Sequence, residues 1–164
     1  MQYMYGVEMQ VPAGKLPGFY AQVIHKIGDH VNVFDRDRLL FIVEQAEECE
    51  KLKEILDKAK MLGEQFDLLY IPEAKIDNVD DVGFVSQNER IYLYPEQVAL
   101  FSLDEQTGDA QDRWAAREQL QEHLVGEIPA TDEQPSVMIV QSSLTELAEG
   151  IARAYRISLH WLHR

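Results

Sequence analysis

Between Arg38 and Pro72 the hydrophobic period changes twice, and this constrains the fold more than any other feature of the chain. Leu39, Leu40, Phe41, Ile42 and Val43 form an unbroken apolar run bounded by charge, the pattern of a strand buried on both faces. Leu52, Ile55, Leu56, Ala59, Leu62 and Phe66 then recur at three- and four-residue spacing, with Cys49 on the same stripe, which predicts an amphipathic helix from Gln45 to Gln65. On its polar face Glu47 precedes Lys51 and Glu54 precedes Lys58, each pair worth about 0.2–0.5 kcal/mol, and acids at the start with lysines at the end suit the helix dipole. Phe66 to Ile71 returns to a strand. Two strands joined by a helix of this length belong in one sheet.

Upstream, Tyr3 to Val11 alternates as a strand until Pro12, Gly14, Pro17 and Gly18 break it. Phe19, Val23, Ile24 and Ile27 mark a short helix closed by Gly28. Val31 to Phe34 reads as a strand that the Asp35-Arg36-Asp37 corner turns into the Leu39 run. Residues 1–75 thus have the split βαβ, or ferredoxin-like, order βαββαβ.

Past Pro72 the expected elements are a hairpin of Val82–Val85 and Arg90–Tyr94, a strand at Val98–Leu103, and a helix from Asp109 to Val125. That helix places Trp114, Leu120 and Leu124 on its inner side. Glu127 to Pro135 reads as a linker, and a βαβ unit closes the chain: Val137–Val140, a helix opened by the capping box Ser143-x-x-Glu146, and the alternating Ile157, Leu159 and Trp161 on an edge. No internal repeat is evident. The expectation is an α+β protein, with a ferredoxin-like unit over 1–75 and, over 76–164, a hairpin, an acidic helix and a C-terminal βαβ extension.

The formal charge is −14, and it is unevenly placed. Residues 1–72 carry 8 basic and 12 acidic residues, 73–134 carry 4 and 15, and 135–164 carry 3 and 2. Phosphate binding needs clustered Lys and Arg, so direct nucleic-acid binding is not expected, whereas an acidic mimic of nucleic acid is an alternative. The single cysteine allows no intrachain disulfide. The N-terminus has no basic start and no apolar run exceeds about five residues, so neither a signal peptide nor a membrane partner is expected, and the cytoplasm is the expected location.

The run V-P-A-G-K-L-P-G-F-Y-A-Q-V-I-H-K-I-G-D-H-V-N-V, from Val11 to Val33, resembles the ACT domain family: strand, Pro-Gly, helix, then a short strand containing Asn. With the hairpin and helix that follow, the likeness covers about 60 residues. It implies an amino-acid or similar small ligand held where the Pro-Gly loop meets the first helix, often between paired domains, and a regulatory role. The implied ligand-binding residues are Lys15, Pro17, Gly18, Phe19 and Asn32. Backbone N–H groups at a helix start suit a ligand carboxylate. Lys15 departs from the Asp or Asn that ligand-binding members carry there, and its ammonium would repel an amino group.

No residue pattern specifies catalysis. Glu73-Ala74-Lys75, downstream of Asp67, spells the E-x-K of metal-dependent nucleases, but Pro72 breaks the strand where the motif needs it. Asp77, Asp80 and Asp81 lack the glycine and terminal acid of a calcium loop. His160 and His163 point to opposite faces of a strand, His25 lies on the first helix, and Cys49 belongs to an apolar stripe. The expected function is therefore a non-catalytic module that binds a protein partner or a small ligand, without metal or cofactor, and self-associates through unpaired sheet edges. A small metal-dependent hydrolase using acids of the middle segment is the alternative from a different class.

Overall fold

The structure, a computed structural model, describes residues 1–14 and 17–164. The chain divides into two compact units, Met1–Tyr70 with Val85–Tyr92, and Ile71–Phe84 with Leu93–Arg164.

The first unit contains β1 (Gln2–Met9), α1 (Pro17–His30), β2 (Asp35–Asp37), β3 (Leu40–Val43), α2 (Ala46–Lys58) and β4 (Leu62–Tyr70). Strand β1 is central and antiparallel to both neighbours, with Val7 opposite Phe41 of β3 and Gln65 of β4. Strand β2 pairs outside β3, so the order is β2-β3-β1-β4. Strands β3 and β4 therefore run parallel with β1 between them, the split βαβ predicted by the change of period. Val7, Met9, Phe41 and Val43 meet Val23 and Ile27 of α1 and Leu52 and Leu56 of α2 in one apolar cluster. Met4, Ile42 and Leu68 are buried as well, so the central strands are covered on both faces, as the unbroken run requires.

Three boundaries differ from expectation. The second strand is not Val31–Phe34: Val31 donates its N–H to Ile27 O at 2.9 Å and so continues the end of α1. The charged Asp35-Arg36-Asp37 is the strand itself, and the turn is Arg38-Leu39, with Arg38 at φ 55°. Gly28 does not close α1, which continues to His30. Helix α2 ends at Lys58 rather than Gln65, although Leu62 and Phe66 prolong its spacing into β4. Of the two predicted ion pairs on its polar face, Glu54–Lys58 forms at 2.8 Å, whereas Lys51 pairs with Glu48 rather than Glu47.

The second unit contains β8 (Val98–Leu103), α3 (Ala110–Gln121), β9 (Gly126–Ile128), β10 (Val137–Gln141), α4 (Thr145–Ala154) and β11 (Leu159–His163). Its strands are ordered β11-β8-β10-β9, each pair antiparallel, with the short β5 (Lys75–Ile76) beyond β9. The expected helix and closing βαβ unit are both present; the stretch from Glu127, expected to be a linker, begins within β9, so that β8 to β11 form another complete βαββαβ. In both units the first strand is central, the third and fourth flank it, and the second lies outside the third. The repeat is structural. The chain also forms a hairpin, β6 (Gly83–Val85) and β7 (Ile91–Leu93), as its turn residues predict.

The repeat extends to the end of the second helix in each unit. Beyond α2, Lys60 adopts φ 57° and Met61 donates to Leu56 O at 2.8 Å; beyond α4, Arg156 adopts φ 59° and Ile157 donates to Ala152 O at 3.0 Å. Both are six-to-one closures in which a left-handed residue precedes a buried apolar one. Glycine is the usual residue there, and its absence hides the end of α2 from a sequence reading. Lys60→Gly and Arg156→Gly are each expected to raise the stability of the unit concerned by about 0.5–1 kcal/mol, read as a higher urea midpoint at unchanged slope, because the side chain is strained at positive φ. An unchanged or lower midpoint for both would contradict the assigned backbone.

Helix α3 is capped by Asp109, whose Oδ1 accepts from the Asp112 N–H at 2.8 Å. The capping box expected for α4 does not form: Leu144 occupies the cap position without a side-chain bond, and the Ser142 hydroxyl donates to Glu96 O at 2.9 Å. Among the described residues no helix is long and apolar enough to cross a membrane.

Candidate functional site

Two polar constellations stand out, and their chemistry differs. The first surrounds Asp35, whose side chain is entirely out of solvent. Its Oδ2 accepts from the Ser86 hydroxyl at 2.7 Å and the Tyr92 hydroxyl at 2.8 Å. Its Oδ1 accepts from the Asn88 amide at 2.7 Å and the Arg36 N–H at 2.8 Å, with an Arg90 guanidinium nitrogen at 3.3 Å. Burial pushes the Asp35 pKa up, but the hydrogen bonds from Ser86, Asn88, Tyr92 and the Arg36 N–H together hold it below the ordinary carboxylate value. Burial and the Asp35 hydrogen bond push the Tyr92 hydroxyl strongly upward, so it stays protonated. A carboxylate offers about four lone-pair positions, and these donors fill them. Asp35 is thus a structural node with no capacity left for substrate or metal.

The second constellation is open to solvent and lies in the second unit. Two adjoining hollows of about 550 and 570 Å³ share Arg117, Ala130 and Ser136 and form one groove beside α3. Arg113, Trp114 and Arg117 face it from α3, and Lys75 from β5. Helix α3 turns Ala116 and Leu120 inward, so Trp114 cannot also face the core; it is 58% exposed, which corrects its expected inward position. The loop before α3 is fixed by Arg113, which donates to Thr107 O at 3.1 Å and Gly108 O at 2.8 Å. Gly108 sits at φ 64°, where a Cβ would lie 2.7 Å from the Ile157 Cγ2.

The chain supplies its own control for this groove. In the first unit, β2 and β3 are joined by two residues, Arg38 and Leu39, and the corner between first helix and second strand is occupied by Arg36. Arg36 donates to the Tyr20 hydroxyl at 3.2 Å and lies 5.0 Å from the centre of the Phe41 ring. In the second unit β9 and β10 are joined by eight residues, 129–136, and Pro129, Ala130 and Pro135 of that connector line the groove. The groove occurs where the second unit departs from the first.

Of the residues expected to bind ligand, the four described ones lie at the two ends of α1. Lys15 lies outside the described residues. Pro17, Gly18 and Phe19 begin α1, whereas Asn32 follows its other end, about 20 Å away at 1.5 Å per helical residue. A Cβ at Gly18 would meet nothing within 4 Å. Phe19 packs partly on the core and lines a hollow of about 250 Å³ between α1 and α2. The Asn32 N–H donates to Glu48 Oε2 at 2.8 Å.

Among the described residues no three His, Cys, Asp or Glu side chains converge as a metal site requires. Lys75 belongs to β5, while Glu73 occupies a left-handed turn at φ 65°, so the E-x-K spelling does not present one catalytic face. Cys49 is buried and burial pushes its thiol pKa up, which disfavours the reactive thiolate. His160 is exposed, and the register irregularity after Trp161 sets His160 opposite Ser102 and His163 opposite Leu100, two positions on one face of β8, so the pair does not take the opposite faces that odd spacing predicts; the His163 ring lies 2.7 Å from Pro95 O. Comparison with family models, curated proteins and solved structures finds no match.

Sequence reasoning missed the groove because Trp114 falls at a spacing compatible with either helix face. One signal was available. Three of the four basic residues between Glu73 and Gln134, namely Lys75, Arg113 and Arg117, line this groove, within a segment holding 15 acids.

Proposed function

We propose that this protein is a non-catalytic interaction module that binds a protein partner through the groove beside α3. The observation that carries this reading is the exposed Trp114 between Arg113 and Arg117, in a groove created by the eight-residue connector of the second unit. Tryptophan and arginine are the side chains most enriched at binding hot spots, and loops carried on a rigid sheet commonly bear the contacts. An exposed indole flanked by guanidinium groups offers large apolar area at low entropic cost. The groove is open, and its Ser136 hydroxyl oxygen and Glu127 carboxylate both accept from Arg117.

A library of defined twelve-residue peptides, free amino acids and Mg²⁺, screened by amide chemical-shift mapping, tests this directly. Peptides that bind are expected to shift resonances of α3 and residues 129–136, and Trp114→Ala is expected to weaken them by about 30-fold or more, the equivalent of a hot spot of about 2 kcal/mol. Binding that maps elsewhere, or that survives Trp114→Ala unchanged, overturns the reading. Amino acids that shift the amides of Gly18 and Phe19 instead would favour the small-ligand regulatory module.

A further inference from the structure

We infer that Arg117 is a positioning residue, which holds connector 129–136 in place as the outer wall of the groove. This rests on the reading of the groove as a binding surface. Both terminal nitrogens of Arg117 reach Glu127 Oε1, at 3.1 and 2.9 Å, and both reach the Ser136 hydroxyl oxygen. Glu127 is fixed within the sheet, opposite Met138 of β10 and Lys75 of β5. Ser136 is the last residue before β10. One guanidinium on a rigid helix thus ties down both roots of the connector.

The β9–β10 ladder sets Ile128 opposite Val137 just outside the connector, and cross-strand pairing ends there. Pro129 and Pro135, one at each end, have no N–H to donate. Among the described residues the tip closes on itself: the Thr131 N–H donates to Gln134 O at 2.9 Å, and Thr131 Oγ1 accepts from the N–H groups of Glu133 and Gln134. That turn fixes the shape of the tip and not its place beside α3. A planar guanidinium with several donors can bridge two acceptors at once, whereas the single ammonium of lysine keeps the charge without that fork. Ordering the wall before a partner arrives removes part of the entropic cost of binding.

Hydrogen exchange on the unliganded full chain tests the inference with Arg117→Lys and Arg117→Ala. The hydrogen-bonded amides of Thr131, Glu133 and Gln134 are expected to exchange about tenfold faster or more in both variants, while those of β8, β10 and α4 keep their protection. Peptides that bind the parent protein are expected to lose affinity in Arg117→Lys even though the charge is retained. Unchanged connector exchange in both variants overturns the inference, and so does loss of protection throughout the second unit, which would make Arg117 a general structural prop. Failure of the binding reading looks different: no peptide shifts the groove in the parent, whatever the exchange rates show.

Discussion

Asp35→Ala is expected to destabilise the first unit by about 3–5 kcal/mol, the cost of breaking a buried charged network on one side. For a chain of this length each kcal/mol corresponds to roughly 2–4 °C, so its melting transition should fall by roughly 6–20 °C. The Arg90 guanidinium would lose its carboxylate, and the hydroxyls of Ser86 and Tyr92 would lose the acceptor they share. Tyr92→Phe removes one donor only and is expected to cost about 1–2 kcal/mol. The pH dependence follows from the direction of the shift. Because the folded pKa of Asp35 lies below its unfolded value, the stabilisation is complete above the unfolded pKa of about 3.9 and is lost as pH falls through the folded value. Urea midpoints of parent and Asp35→Asn should therefore differ most near neutrality and converge under acid. A constant difference from pH 7 to pH 3 would show that Asp35 contributes by packing alone.

Phe101→Ala and Trp114→Ala are expected to differ sharply although each removes an aromatic ring from the second unit. Phe101 is fully buried, with its ring centre 5.0 Å from that of Trp161, and its removal should cost about 3–5 kcal/mol. Trp114 is mostly solvent-exposed, and its removal should change stability by no more than about 0.5 kcal/mol. Trp161 provides the fluorescence signal for both, since its indole N–H is held by Glu149 at 2.6 Å. A loss of several kcal/mol in Trp114→Ala would place that ring in the core and remove the basis for the binding reading.

This contrast also shows what the sequence could disclose. The central strands were legible because an unbroken apolar run such as Leu39–Val43 admits few alternatives, and α2 because its stripe is long. Strand β2 was hidden by charge: nothing near Asp35 announces the five donors, four of which arrive from residues 86–92. Strand β9, only Gly126-Glu127-Ile128, is too short to show a period, and without it the second βαββαβ could not be counted. Its glycine has a packing cause, since a Cβ there would approach Lys75 O to 2.7 Å. Gly63 is similar: a Cβ there would lie 2.9 Å from Glu8 O, so this residue marks a close strand pair. The groove escaped for a different reason. It depends on which side of α3 Trp114 takes, and neighbouring elements decide that.

The first unit is not contiguous in the chain, and this governs how it is made. Its strand order β2-β3-β1-β4 is already present at Tyr70, but the side chains that satisfy Asp35 come from Val85–Tyr92. During synthesis, at about 5–20 residues per second, roughly one to four seconds separate the emergence of Tyr70 from that of Tyr92. Throughout that interval Asp35 has the Arg36 N–H as its one donor of the five. A fragment ending at Tyr70 would remain permanently in that condition, whereas one that also includes residues 71–92 carries every donor that the carboxylate needs.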